Sequence, residues 1–353
     1  MKSELLGTQN LAYDLAAAIE KNLGPLLRSL SEGAPGLQGR SFSPVGGLSR
    51  LPKDLRVLGM PNEYERINAT AMARKSAHQL RKWRVERATS VEIFANAIGG
   101  NYLVRELTLE HAHILHRFWQ QRALAGEVRI NSANRLMRNL SGLYGTIHAH
   151  YRLEFENPFA KLNLRGGREG KRIAYRASFV RDQLLAEGAL DSLNPEARRI
   201  VYLIIETGLR PSEACALDRS TINLEGLIPF VQVTDDMRQT KTPGSVRAVP
   251  LVGVALAAMR LQPDGFPRYR DRANVASATI NKALSVRNLR PAGKLQTLYS
   301  LRHTLVDRLR TAEAPKDIQE DILGHVHMYG EGTSLEHRQT WLQRIAFEVP
   351  ARL

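Results

Sequence analysis

A single cysteine, Cys215, leaves the chain no internal disulfide framework and suits a reducing compartment. No run of about eighteen apolar residues occurs, so no transmembrane helix is expected. The opening segment, MKSELLGTQNLAYDLAAAIEKN, mixes acids with apolar residues and lacks the unbroken hydrophobic core of a signal peptide, so a cytoplasmic protein is expected. Neither a P-loop of the form GxxxxGKS or GxxxxGKT nor a Rossmann fingerprint is found, which argues against an ATPase or a dinucleotide enzyme. His111, His113 and His116 sit at offsets that do not place three ligands on one helical face. They are read, with His148 and His150, as ordinary helix residues, and no metal or other cofactor is expected.

Negative charge is the other scarcity. Lys and Arg number 50 against 35 Asp and Glu, a formal net charge of +15. Such an excess attracts polyanions, of which nucleic acid is the commonest in a cytosol; a merely solvated basic surface is the alternative. The basic residues are spread along the chain rather than gathered in one terminal patch, so no membrane partner is expected.

With 353 residues, 43% of them hydrophobic, the chain can build about two domains with real cores. Residues 1–62 read as an N-terminal helix, with Leu11, Leu15, Ala18 and Ile19 at helical spacing, followed by a Gly-, Pro- and Ser-rich arm of unassigned role. Residues 63–163 read as all helical. A first helix, roughly Asn68 to Arg87, carries Arg74, Lys75, Arg81, Lys82 and Arg84, and a later one from near Ser132 carries Arg135 and Arg138. Any one of these fits a solvated face, but two basic helices in one small domain point to phosphate contacts. Residues 164–176, NLRGGREGKRIAYR from Asn163, form a basic, glycine-rich linker. In residues 177–353 helical patterns surround one short β section, LIPFVQV (Leu227–Val233) and VRAVPL (Val246–Leu251), the pattern of an antiparallel hairpin. The expected fold is mainly α with a small antiparallel β-sheet.

Three segments carry candidate chemistry. In TGLRPSEACAL, Thr207–Leu217, Gly208 can end one helix and Pro211 begin the next, which puts Arg210 at the cap. A guanidinium beside a helix N-terminus suits an anion, with Glu213 placed to orient it; a surface arginine in a loop is the alternative. In LYSLRHTLVDRL, Leu298, Leu301, Leu305 and Leu309 form one helical stripe with Arg302 inside it. A charge there is either paired with a buried acid or faces a ligand. In APKDIQEDILGH, Pro315 starts a helix and Gly324 stops it, so His325 emerges just past its end, shortly before Tyr329.

These pieces, in this order, resemble the catalytic domain of the tyrosine recombinases, the family of phage integrases. TGLRPSEA resembles the first arginine box, YSLRHTLVDRL the second, with Tyr299 where histidine is commonest, and ILGH the third, while YGEG resembles a nucleophile segment. The resemblance covers roughly Ala177 to the C-terminus, and more weakly NSANRLMRNLSGLY and ENPFAKL upstream, which are similar to the helical core-binding domain and its exit.

The resemblance implies a core-binding domain followed by an α+β catalytic domain, and a site-specific recombinase or integrase of a mobile element. Catalysis would fall to Arg210, Lys241, Tyr299, Arg302, His325 and Tyr329, with Lys241 in the hairpin turn as general acid and Tyr329 as nucleophile. Its partners would be double-stranded DNA and further copies of the chain, a tetramer on paired sites, in association with the nucleoid. Only Val326, His327 and Met328 separate His325 from Tyr329, a spacing shorter than the family's by more than a helical turn. That departure favours a catalytically impaired DNA-binding protein on the same scaffold as the alternative. A tyrosine delivered by a neighbouring protomer and a type IB topoisomerase-like enzyme are further readings.

Overall fold

The computed structural model describes residues 50–167, 173–235, 246–291, 296–324 and 332–353. Contacts divide the chain into Met1–Arg50 and Leu51–Leu353, and every described residue except Arg50 belongs to the second unit. The expected N-terminal helix and most of the arm after it lie outside the described residues.

The first lobe is helical: α1 (Met60–Ile67), α2 (Ala69–Ala73), α3 (Ala77–Ala97), α4 (Leu109–Leu124) and α5 (Ile130–His150). Its core gathers Val57, Met60, Phe94, Leu115, Leu140, Tyr144 and Phe159. The Phe159 ring meets Phe94 and Tyr144 edge to face, at 5.2 and 4.9 Å. The single helix expected over Asn68–Arg87 is in fact broken at Arg74–Ser76. Ser76 makes the break: its Oγ accepts from Gln79 N (3.1 Å) while its own N–H donates to Gln79 Oε1 (3.0 Å), a capping box that starts α3 afresh.

The second lobe has its own apolar core, centred on α6 (Pro195–Thr207). Asn194 caps α6 through Ala197 N (3.1 Å), and Pro195 fits its first turn. Ile200, Val201, Leu203 and Ile204 are fully buried, each worth about 1.5–3 kcal/mol. Around α6 lie α7 (Pro211–Ala214), α8 (Gly253–Arg260), α9 (Ala273–Val286), α10 (Ser300–Thr311), α11 (Lys316–Leu323) and α12 (Leu335–Ile345).

The β section is a three-stranded antiparallel sheet of β1 (Ile222–Asn223), β2 (Phe230–Val233) and β3 (Arg247–Pro250), in that order. Val231 opposes Val249 and Val233 opposes Arg247. The hairpin is shorter than its sequence pattern, and β1 was not foreseen. The C-terminal helix α12 packs on its own lobe, burying Leu342, and Arg338 Nη1 donates to Ala248 O of β3 (2.7 Å).

Among the described residues, side chains of the two lobes meet at Asp271 and Asp235. Asp271 accepts from Ser76 Oγ (2.7 Å) and His78 N (3.1 Å), so a carboxylate of the second lobe caps helix α3 of the first. Arg74 Nη2 lies 3.4 Å from Asp235. Among the described residues no helix is long and apolar enough to cross a membrane, and no group of three metal-ligating side chains gathers.

Candidate functional site

Two helix C-termini and one helix N-terminus converge in the second lobe. Helix α6 ends at Gly208, whose backbone is left-handed (φ 61°); a Cβ there would lie 2.7 Å from Leu305 Cδ2, so only glycine serves. Helix α11 ends the same way at Gly324 (φ 69°). Pro211 opens α7 with Arg210 at its N-cap, as the sequence indicated.

Arg302 lies between the two helix ends. It is 5% exposed, and its Nη1 donates to Gly208 O (2.7 Å) while Nη2 donates to Leu323 O (2.6 Å). Helix C-termini carry partial negative charge, which is how a guanidinium is accommodated in an apolar stripe. Among the described residues it has no ion pair within 4.0 Å, so the buried acid offered as one explanation is not its direct partner. Burial, with Arg210 and Arg247 nearby, pulls its pKa down to about 10 against the opposing pull of Glu213. It stays a cation at neutral pH.

Arg210 is oriented by Glu213, one turn on. Its backbone N–H donates to Glu213 Oε2 (2.8 Å) and its Nη1 to Oε1 (2.5 Å). A second guanidinium reaches the same carboxylate: Arg247 Nη2 donates to Glu213 Oε2 at 3.0 Å. Burial alone would raise the Glu213 pKa, but Arg247 and Arg210 hold it below the ordinary carboxylate value. It is therefore ionised, and one buried carboxylate stands among three guanidiniums.

The cluster opens on a cleft of about 390 Å³ lined by Arg210, Arg302, Tyr299 and His303; Arg310 and Lys316 also line it, but each is paired there with an acid, Asp307 (3.9 Å) and Glu320 (3.5 Å). Tyr299, at the N-terminus of α10, is half-buried, its ring centroid 5.5 Å from that of His303. Donors over a low-dielectric floor with surplus positive charge are suited to a tetrahedral oxyanion.

Of the sequence-derived candidates, Arg210, Tyr299 and Arg302 come together here. Lys241, His325 and Tyr329 lie outside the described residues. Arg247 and His303 were missed. Arg247 had a signal, since an arginine two residues from Val249 shares its strand face. His303, one residue past Arg302, had none.

The basic residues of the first lobe divide into two sorts. Arg84 is held by Glu65 (2.7 Å), Arg135 by Glu86 (3.2 Å) and Arg74 by Asp235. Arg81, Lys82 and Arg138 are exposed and carry no ion pair among the described residues, while Lys75 is half-buried.

No family model and no curated protein matches the chain. Solved structures do. The Tn1549 transposon integrase in complex with transposon right end DNA is 16% identical, with 82% of this chain and 99% of that one covered and a TM-score of 0.55. A lambda integrase dimer bound to a COC′ core site is 15% identical over 80% of this chain and 100% of that one, with a TM-score of 0.53. A lambda integrase tetramer bound to a Holliday junction is 17% identical over 90% and 88%, again at 0.53. The chain has the fold of the tyrosine-recombinase integrases.

Proposed function

We propose that this chain is a site-specific DNA recombinase that cuts and rejoins strands through a 3′-phosphotyrosyl link. The observation that carries the proposal is the surplus of fixed guanidinium charge at one cleft, Arg210 and Arg302 over Glu213, in a chain with the integrase fold. A phosphodiester brings one negative charge, and attack on phosphorus builds more on its nonbridging oxygens. Donors already aimed at those oxygens stabilise that charge without reorganising.

The Tyr329 hydroxyl would attack phosphorus and the 5′ oxygen would leave, protonated by Lys241. The new phosphotyrosyl ester conserves the energy of the broken bond, so rejoining needs only attack by a 5′-hydroxyl, with the tyrosine as leaving group. His325 would add a hydrogen bond to the phosphoryl oxygens. Tyr299 would add another, as a neutral donor that cannot become a cation near pH 7. Arg81, Lys82 and Arg138 would track the DNA backbone from the first lobe. The domain plan that goes with this activity is an arm over 1–62, a core-binding domain over 63–163, a linker over 164–176 and a catalytic domain over 177–353. The working state would be a tetramer on paired DNA sites, associated with the nucleoid of a cell carrying a mobile element.

The test uses duplexes that the protein itself selects from a random library, then nicked at successive positions so that the cleaved end cannot religate. A covalent protein–DNA band with the wild type, lost in Tyr329→Phe, is the expected result. Retained binding without any covalent band would instead establish the second reading, a DNA-binding protein without catalysis. The three-residue spacing between His325 and Tyr329 is the observation that favours it.

A further inference from the structure

We propose that Arg247 is a positioning residue of this cleft: it takes up the charge of Glu213, so that Arg210, which the same carboxylate orients, keeps its full positive charge for a phosphate. This rests on the reading of the cleft as a phosphodiester site.

Arg247 opens β3 and is 7% exposed. Its Nε donates to Ile322 O (2.8 Å), near the end of α11, and its Nη2 to Glu213 Oε2 (3.0 Å). The side chain lies against Gly324, where a Cβ would come within 2.6 Å of Nη1. Glycine at 324 thus answers both the left-handed backbone and the passage of this guanidinium. Arg247 is buried, and its described contacts face the protein, not the cleft it supports.

The charge count gives it a role. Glu213 orients Arg210 through two contacts, and an isolated carboxylate in that place would also neutralise it. Among the described residues the cleft would then retain only Arg302 as an uncompensated cation, since Arg310 and Lys316 are paired with Asp307 and Glu320. With Arg247 on the same carboxylate the cluster carries three guanidiniums and one carboxylate, a net charge of +2. Burying a further cation is costly, and an apolar residue of similar volume would fill the space more favourably if packing were its only purpose. Orientation and neutralisation are in this way divided between two residues, Glu213 and Arg247.

The variants are Arg247→Met, Arg247→Lys and the double variant Glu213→Gln/Arg247→Met. Glutamine at 213 can still accept one of the two Arg210 bonds through its carbonyl oxygen but carries no charge, so the double variant restores the net +2 that Arg247→Met reduces to +1. Each is assayed on the nicked duplex with an ordinary phosphodiester and with a single methylphosphonate at the cleaved position. The methylphosphonate is neutral and needs less charge neutralisation. Binding of the uncleaved duplex and thermal unfolding are measured alongside.

Arg247→Met is expected to lose on the order of a hundredfold in phosphodiester cleavage and to recover most of it on the methylphosphonate. The double variant should cleave the phosphodiester faster than Arg247→Met, and Arg247→Lys should stay near wild type. An equal loss on both substrates, or a double variant no faster than the single one, would show a purely structural arginine and overturn the proposal. If Arg247→Met does not fold, Arg247→Gln replaces it in the same comparison. If the wild type forms no covalent product on either DNA, the recombinase reading fails instead. The inference is then decided by equilibrium binding of the same duplexes: the double variant must bind more tightly than Arg247→Met, and equal affinities refute it.

Discussion

Two buried glutamates of the second lobe, seven residues apart, meet opposite fates. Glu206, in the last turn of α6, is fully buried against a single guanidinium, with Arg308 Nη2 donating to its Oε2 at 2.7 Å. Arg308 gives its remaining contacts to Ile205 O and Ile345 O, and its guanidinium stacks 3.8 Å from the centre of the Phe347 ring. Phe347 N closes the arrangement on Glu206 Oε1 (2.7 Å). Glu213, 3% exposed, faces more than one guanidinium, and the cluster it belongs to opens on a cleft. Burial raises the pKa of Glu206 in spite of Arg308, whereas Arg247 and Arg210 overcome burial and hold Glu213 below the ordinary value. The fold builds ion pairs in both places. What separates a staple from a ligand site is the ratio of charges, not burial or a neighbouring cavity: Arg308 also lines a cavity, of about 880 Å³, but its charge is matched one to one by Glu206.

The comparison breaks most visibly if the one-to-one pair is cut. Arg308→Met leaves Glu206 buried without its partner and is expected to cost about 3–5 kcal/mol, measured by urea denaturation. Cleavage per folded molecule should be little changed, because Arg308 does not line the cleft. Arg302→Met should do the reverse. It removes a donor from the cleft, and covalent complex formation is expected to fall on the order of 100- to 1000-fold while DNA binding persists. If Arg302→Met costs stability but not cleavage, the distinction drawn between the two sites is wrong.

The pH dependence of folding offers a finer test. A carboxylate whose folded pKa is depressed stabilises the fold above its unfolded value, and that stability is lost as pH falls through the folded value. For Glu213 the loss therefore sets in below the ordinary 4.5. For Glu206, whose folded pKa is raised, the contribution is complete below 4.5 and declines as pH rises. Glu213→Gln should accordingly flatten the acid limb of the stability profile below that pH, and Glu206→Gln should not. Equal acid limbs in the two variants would remove the electrostatic difference argued for them.

Much of this frame could be read from residue order. Gly208, Pro211 and Gly324 mark helix ends by backbone chemistry alone, and Arg302 betrays itself as a charge inside a leucine stripe. The break before α3 was equally readable, since Ser76 and Gln79 stand at capping-box spacing, but the basic periodicity across it hid the signal. Partners distant in sequence were another matter. That Arg247 would meet Glu213 depends on the register of β3 and on the turn after α11, and that Asp271 would cap α3 depends on two lobes meeting. Local rules specify ends and faces; which charges neutralise one another is decided by tertiary packing.

The same arithmetic of pairing extends to the exposed face of the first lobe, where the effects should be smallest. Arg84 and Arg135 each already hold a carboxylate, Glu65 and Glu86, whereas Arg81, Lys82 and Arg138 hold none among the described residues. A basic residue releases a counterion when it meets a phosphate, and each such contact contributes about 0.9 to the slope of log affinity against log salt. Arg81→Gln, Lys82→Gln and Arg138→Gln should therefore each flatten the slope by roughly that amount, with losses near 1 kcal/mol or less at moderate salt. Arg84→Gln and Arg135→Gln should change it less, because a paired arginine must give up its own carboxylate before it can take a phosphate. Titrating one selected duplex at four or five salt concentrations separates the two groups. Identical slopes for all five variants would mean that surface pairing does not decide which arginines meet DNA, and would confine the charge-ratio rule to the buried clusters.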